Sequence, residues 1–404
     1  MTAPAEESEI AAAVLAAYDA NEPLLVLGNG TKAGLLRPVQ AARSLSVRNH
    51  AGITLYSPTE LIVSARAGTP VRELEAALAE RGQHLIAEPP DLSALLGGNG
   101  RDTAGPQTLG GVVATNLSGP RRIAWGAMRD HALGVRAVNG RGEIIRSGGR
   151  VLKNVTGLDL CKLLSGSYGT LAVLTEVTLK VLPAPEAVGT VVLPGLDAAA
   201  GVAALAAALG SPYGVSGAAW LPAEAAARVP ELAGFGAAVA LARIEEFAAS
   251  VVYRTRRLGA DLASFGEPAI LEDAPSRALW RAVRDARPLA AAPDDAIWRV
   301  SVRPSAGPEV VRAAAAVDGR CFLDWGGGLA WVAAPASDAA HRAITAAARA
   351  AGGVWTLLRA PEPLRASLDV VPPEPPPLAA ITRRVKAAFD PRGILNPGRM
   401  YAGV

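Results

Sequence analysis

Apolar and polar positions over the first 180 residues alternate between helical and strand-like spacing. Residues 8–20 carry Ile10, Val14 and Leu15 in a helical pattern, and Leu24–Leu27 follows as an unbroken apolar strand running into Gly28-Asn-Gly-Thr-Lys32. Further strand-like runs span 44–48, 53–56 and 61–67. Thr69-Pro70 predicts a helix start, with a hydroxyl cap and a proline in the first turn. Its apolar stripe is Val71, Leu74 and Leu78, and Gly82 ends it. Strands interleaved with helices predict one mixed unit over 1–183.

Pro183 and Pro185 punctuate the chain, and a second pattern starts after them. It reads strand 188–193, helix 197–209, strands 214–220 and 236–243, then helix 245–259. A similar series follows: strand 296–303, helix 306–316, strands 320–324 and 329–334, helix 338–351, strand 353–359. Such β-α-β-β-α-β orders suggest a ferredoxin-like sandwich over 186–370. The segment PPEPPPLAA (372–380) is stiff and extended. A last helix follows with Leu378, Ile381 and Val385 on one face, closed by Asp390-Pro-Arg-Gly393. Residues 371–404 therefore read as a linker and a segment returning to the first unit, and the fold class is α+β.

Three small-residue loops punctuate the first unit. Residues 152–183 open with a polar turn (Lys153, Asn154, Gly157), pass through Ser165-Gly-Ser-Tyr-Gly-Thr170 and finish as an apolar strand. Glycines there let backbone amides approach a ligand closely. Gly28-Asn-Gly30-Thr-Lys-Ala33 fits the dinucleotide spacing G-x-G-x-x-G/A after a strand. Its context does not: Pro38 leaves little room for the helix, and no acidic residue stands between Glu22 and Glu60 to hold a ribose. What remains is a loop of N–H groups suited to an anion such as a pyrophosphate, with Asn29 and Thr31 as added donors. Gly110 and Gly111, in Gly105-Pro-Gln-Thr-Leu-Gly-Gly-Val-Val-Ala-Thr-Asn-Leu-Ser-Gly119, open a short helical stretch with free N–H groups. Together the loops suit one long ligand with two phosphates and a flat ring.

Composition narrows the picture. A net charge of +3 over 404 residues, scattered arginines and 4% aromatic residues argue against nucleic-acid binding. Cys161 and Cys321 read as buried thiols of a reducing compartment. The first twenty residues are acidic where a signal peptide is basic, and no apolar stretch is long enough to span a bilayer, so the expectation is a soluble cytoplasmic protein. His50, His84, His131 and His341 show no metal-ligand spacing, so no metal is expected. His341 sits in a helical segment beside Ala339, Ala340 and Arg342 and is expected at the surface. Arg299 and Arg303 alternate with Trp298 and Val300 and are read as sharing a strand face, either as a clamp for a carboxylate or as edge-strand charges. Arg254, Arg256 and Arg257 read as a solvated helix face. Trp325, before three glycines, reads as a packing anchor or part of a partner surface.

The three loops resemble the FAD-binding domain of the vanillyl-alcohol oxidase and para-cresol methylhydroxylase (PCMH) type, and residues 153–183 are similar to its D-lactate and glycolate dehydrogenase branch. Ile297-Trp-Arg-Val-Ser-Val302, Leu323-Asp-Trp-Gly-Gly-Gly328 and Phe389-Asp-Pro-Arg-Gly-Ile-Leu-Asn-Pro-Gly-Arg-Met400 extend the resemblance to the family of FAD-binding subunits of bacterial glycolate oxidases, across nearly the whole chain. The resemblance implies a PCMH-type FAD-binding domain over 1–183, a cap over 186–370 and a returning end. It implies that Gly28, Asn29, Gly30, Thr31 and Lys32 hold the pyrophosphate. Gly110, Gly111, Thr115, Asn116 and Gly119 would line the phosphates and the isoalloxazine. Gly169, Thr170 and Val173 would meet the adenosine side, and Asn396 and Arg399 would approach the flavin. Arg399 would supply positive charge that tunes the reduced ring.

Two departures qualify it. Many relatives attach flavin through a His in the first loop, where Asn29 and Thr31 stand, so FAD is expected to be non-covalent. Catalytic relatives carry a histidine cluster in the substrate domain, and this chain does not. The resemblance implies a subunit of a glycolate dehydrogenase complex: a sister flavoprotein oxidises glycolate to glyoxylate, and an iron–sulfur subunit carries electrons onward. Any membrane contact would be made at the inner membrane through those partners. A stand-alone FAD oxidase or dehydrogenase of another alcohol or hydroxy acid, and a structural partner with a vestigial site, stay open.

Overall fold

In the computed structural model, which describes residues 1–96, 105–149 and 157–404, helix α1 (Glu7–Ala20) buries Ile10, Val14 and Ala17 at helical spacing, while Leu15 is exposed. Strands β1 (Leu24–Leu27) and β2 (Arg43–Ser46) pair in parallel. β3 (Ile53–Ser57) and β4 (Ile62–Arg66) lead to helix α2 (Val71–Ala79), which buries Val71, Leu74 and Leu78. The Thr69 hydroxyl does not cap α2 as expected; it bonds backbone groups of Gly52 and Arg66, tying the turn to the preceding strand. Helix α3 (Leu109–Thr115) precedes β5 (Ala132–Asn139), β6 (Ile144–Gly148) and β7 (Ala172–Lys180). These strands form an antiparallel sheet in the order β3-β4-β7-β5-β6. β7 lies in its middle, which is why it is buried along almost its whole length.

The second unit repeats one topology. Its first half runs β8 (Ala187–Pro194), α4 (Ala198–Leu209), β9 (Val215–Leu221), β10 (Val239–Glu246), α5 (Ala248–Asp261), β11 (Ala269–Glu272) and then α6 (Asp273–Arg284). Its second runs β12 (Asp295–Ser301), α7 (Gly307–Ala315), β13 (Arg320–Asp324), β14 (Leu329–Pro335), α8 (Asp338–Ala350) and β15 (Val354–Arg359). The eight strands form one sheet, β11-β8-β10-β9-β13-β14-β12-β15. Each half is a ferredoxin-like order, and the halves meet where Trp220 of β9 pairs with Leu323 of β13. β11 and α6 escaped the sequence reading: β11 is only four residues long, and Pro275 interrupts the start of the α6 pattern. His341 is also corrected. It lies on the buried face of α8 with Ala340, Ile344 and Ala348, its Nδ1 3.2 Å from the indole nitrogen of Trp298.

Helix α9 (Pro376–Phe389) begins the return. Of its expected apolar face only Val385 packs on the first unit's core; Leu378 and Ile381 are about half exposed. Its anchor is Lys386, whose ammonium donates to the Thr170 carbonyl (2.7 Å), Asp390 Oδ2 (2.8 Å) and the Leu395 carbonyl (3.0 Å). Asp390 in turn accepts from the amides of Ile394 and Leu395. Leu395 thereby bridges Leu24 at the edge of β1. Among the described residues no helix is long and apolar enough to cross a membrane.

Candidate functional site

β1, the start of α3, the loop before β7 and the return segment converge on one cleft. Of the residues nominated from the sequence, it is lined by Gly28, Asn29, Gly30, Thr31, Lys32, Gly110, Gly111, Thr115, Gly169, Val173, Asn396 and Arg399. Glycine is required where the walls touch. A Cβ on Gly28 would collide with the Thr108 hydroxyl, and one on Gly110 would stand 2.7 Å from the Ala67 Cβ. Gly30 has φ +78° and faces open space. The turns therefore present backbone to the cleft, which a phosphate needs.

The side chains there mostly hold backbone. Asn29 donates to the Pro106 carbonyl at 2.7 Å. Asn396 accepts from the Val26 amide (2.8 Å) and donates to the Tyr168 carbonyl (2.8 Å). Arg399 donates to the carbonyls of Lys32 (2.7 Å) and Ala33 (3.1 Å), clamping the first loop. Lys32 differs: its ammonium donates to the neutral Gln107 Oε1 at 2.9 Å. Burial pushes its pKa down to about 8, with Asp91 opposing the shift. Backbone amides beside an ammonium that no carboxylate neutralises at hydrogen-bond distance fit a diphosphate.

Asn116, Gly119 and Thr170 lie outside this lining. Asn116 ends α3 in the left-handed region and accepts from the Arg129 amide. Gly119 packs on the Glu88 carbonyl, and the Thr170 hydroxyl donates to the Ser167 carbonyl. Lys153 and Asn154 fall outside the described residues. Tyr168, which the sequence reading did not nominate, lines the cleft with φ +53°. The motif Ser-Gly-Ser-Tyr-Gly-Thr held it in plain view.

Tyr168 connects the cleft to the seam under the second unit. Burial raises its phenol pKa, and the charges of Arg299 and Arg399 oppose that. On the seam, Arg299 Nε and Nη2 are buried with no hydrogen-bond partner. Its guanidinium stacks on Trp325 (4.7 Å) and Trp331 (5.7 Å), and burial lowers its pKa to about 10. Arg122 covers Trp325 as well, at 4.5 Å. Trp325 is a packing anchor: its indole donates to the Gly119 carbonyl at 3.1 Å, joining the two units. Asp324, buried behind it, has its carboxyl raised to about 7 by burial. Arg303 does not share this place. β12 ends at Ser301, and Arg303 is exposed in the following turn, donating to the Ala351 carbonyl.

A second group of seam charges is neutralised internally. Arg243 pairs with both Glu88 oxygens at 3.0 Å and lies over Trp280. Arg121 pairs with Glu245 at 2.6 and 3.0 Å. Burial opposes ionisation of Glu88 and Glu245, but Arg243 and Arg121 outweigh it and hold both below the usual carboxylate range. Glu88 and Arg121 come from the first unit, Arg243 and Glu245 from the second, so the pairs lock the units together. Among the described residues no three His, Cys, Asp or Glu side chains gather to hold a metal ion.

Comparison with known proteins agrees with this geometry. Residues 1–148 match an FAD binding domain family, and residues 374–400 match the C-terminal domain of FAD linked oxidases. The p-cresol methylhydroxylase structure with substrate bound superposes with TM-score 0.70 at 13% identity, covering 100% of this chain and 88% of that one. An alkyldihydroxyacetonephosphate synthase gives 0.68 at 18%, covering 98% and 76%. At those identities the likeness is one of fold. A D-lactate dehydrogenase of Archaeoglobus fulgidus is 31% identical over 45% of this chain and 38% of that enzyme. Glycolate oxidase subunit GlcE of Escherichia coli (strain K12) is 36% identical over 381 residues, 94% of this chain and 93% of that protein. The chain belongs to the FAD-linked oxidoreductase family that includes this subunit.

Proposed function

We propose that the chain is the FAD-binding subunit of a glycolate-oxidising complex, working beside a sister flavoprotein and an iron–sulfur subunit. The observation that carries the reading is the cleft, where three distant small-residue segments and the return segment meet around Lys32, in a chain similar to glycolate oxidase subunit GlcE over nearly its whole length. FAD, when bound, supplies the two-electron acceptor for oxidising a CH–OH group. The amides of 28–32 and of Gly111, with Lys32, would hold the diphosphate. Arg399 and Asn396 keep that loop and β1 in register, and Tyr168 closes the cleft toward the seam. Asn29 and Thr31 supply no nucleophilic ring nitrogen for a flavin bond, which supports non-covalent binding. Acid precipitation should therefore release all flavin into the supernatant.

On the substrate side, Arg299 would hold a carboxylate. A buried guanidinium with open N–H groups is suited to that contact. The histidines nearest the seam are poor bases: His84 lines the cavity beside Glu88, Arg121, Arg243 and Glu245, His341 packs on Trp298, and burial lowers the pKa of both, His84 to about 4. This supports a subunit that relays electrons or completes the assembly. Two buried thiols cannot hold an iron–sulfur cluster, so onward transfer would need the partner. Arg299 also favours a second reading, a stand-alone dehydrogenase of another hydroxy acid. Anaerobic mixing with glycolate separates the two. No bleaching of the isolated flavoprotein, with bleaching once the partner subunits are added, is expected; rapid bleaching of the isolated chain would overturn the relay reading.

A further inference from the structure

Lys32 is the charged side chain of the cleft whose own charge is not spent on the protein. Arg399 is engaged with the Lys32 and Ala33 carbonyls, and Asn396 with Val26 and Tyr168. The Lys32 ammonium points along α3: its hydrogen-bond acceptor is Gln107, and it stands 4.0 Å from where a Gly111 Cβ would be. The elements around it bring few other charges. The loop 28–33 and the start of α3 carry no other ionisable group, β7's leading loop brings the neutral Tyr168, and the return segment brings Arg399. Asp91 is the acidic group acting on it, and Asp91 is itself occupied with the Ser93 amide.

We propose that Lys32 is the counter-ion of the cofactor's phosphates and that cofactor loading is coupled to proton uptake at its amine. The inference rests on the reading of the cleft as the FAD site and adds regulation to it. Charge balance is simple. Without the dianion, the amine has a neutral partner and burial favours its uncharged form. A diphosphate beside it favours the ammonium, and the proton comes from solvent. The sign follows from a pKa of about 8 before loading. Near pH 7 the amine is already charged and uptake is about 0.1 proton, whereas near pH 9 it is about 0.9. FAD affinity should accordingly fall about tenfold per pH unit above 8. Because the amine retains flavin only while charged, alkaline conditions would release cofactor without unfolding.

The test is calorimetric titration of the deflavinated full chain with FAD, and separately with riboflavin, in two buffers of different ionisation heat at pH 7 and pH 9. Proton uptake with FAD at pH 9 and none with riboflavin is expected. Lys32→Met should lose about ten- to a hundredfold in FAD affinity, with riboflavin affinity unchanged. Lys32→Arg stays charged at both pH values and should keep FAD affinity while abolishing uptake. Tight FAD binding with no proton uptake at pH 9, or Lys32→Met binding FAD as the parent does, would overturn the proposal while leaving the site intact. Failure of either flavin to bind would instead overturn the reading of the cleft.

Discussion

The cofactor cleft and the seam between the two units are built on opposite principles. The cleft is made of backbone, glycine and small side chains, with one ammonium whose hydrogen-bond acceptor is the neutral Gln107. The seam is made of arginines, carboxylates and tryptophans, and its charges are mostly matched before any ligand arrives. Arg299 is an exception there, as Lys32 is in the cleft. Tyr168 lines the cleft together with Lys32 and feels the charge of Arg299. Each region thus combines a largely satisfied scaffold with a cation that no carboxylate meets at hydrogen-bond distance.

The largest effect should come from breaking the scaffold of the seam. Arg243→Met leaves Glu88 buried without the partner of both its oxygens and removes one of the two cations beside Glu245, and about 3–5 kcal/mol of stability should be lost, read as a lower denaturation midpoint. Since both carboxylates are held below their ordinary range, the parent's extra stability is present above pH 4.5 and fades as pH falls below it. The variant should show a flatter acid limb. In the cleft the matching experiment is Gly28→Val. The added side chain meets Thr108, and FAD affinity should drop at least about a hundredfold, about 2.7 kcal/mol, with the far-ultraviolet circular dichroism kept.

Asp324 gives a smaller and opposite pH signature. Its carboxyl is raised to about 7, so the folded state favours the protonated form, and stability is lost as pH rises from about 4 to about 7. Asp324→Asn keeps an acceptor for the Trp325 amide. It should gain about 1–2 kcal/mol over the parent at pH 8 and nothing at pH 4. The smallest stability change belongs to Arg299→Met, within about 1 kcal/mol, because no hydrogen-bonded partner is orphaned at its Nε and Nη2. Its diagnostic effect lies elsewhere: small carboxylates that perturb the flavin spectrum of the parent should cease to do so.

What the sequence made legible follows this division. Gly28, Gly110 and Gly169 were readable because backbone sites demand glycine at fixed places beside strands. The repeated β-α-β-β-α-β order was readable because its strands carry dense apolar runs, such as 320–324 and 329–334. The seam was hidden. Glu88, Arg121, Arg243 and Glu245 are scattered charges whose pairing spans up to 155 positions, and nothing local distinguishes them from surface residues. Arg303 was mistaken for a partner of Arg299 because alternation alone does not reveal that β12 stops at Ser301. His341 was misread because its immediate neighbours Ala339, Ala340 and Arg342 hide the face it shares with Ile344 and Ala348, and only Trp298 beneath it shows which way the ring turns.

The central claim is that the cleft of small residues, and not the seam, holds FAD. Its most direct measurement is a fluorescence-quenching titration of the deflavinated chain with FAD, run in parallel on the parent, Gly28→Val and Arg243→Met at a temperature where all three are folded. One FAD per chain for the parent and for Arg243→Met, with binding lost in Gly28→Val, is the predicted result. Undiminished FAD binding by Gly28→Val would contradict the account.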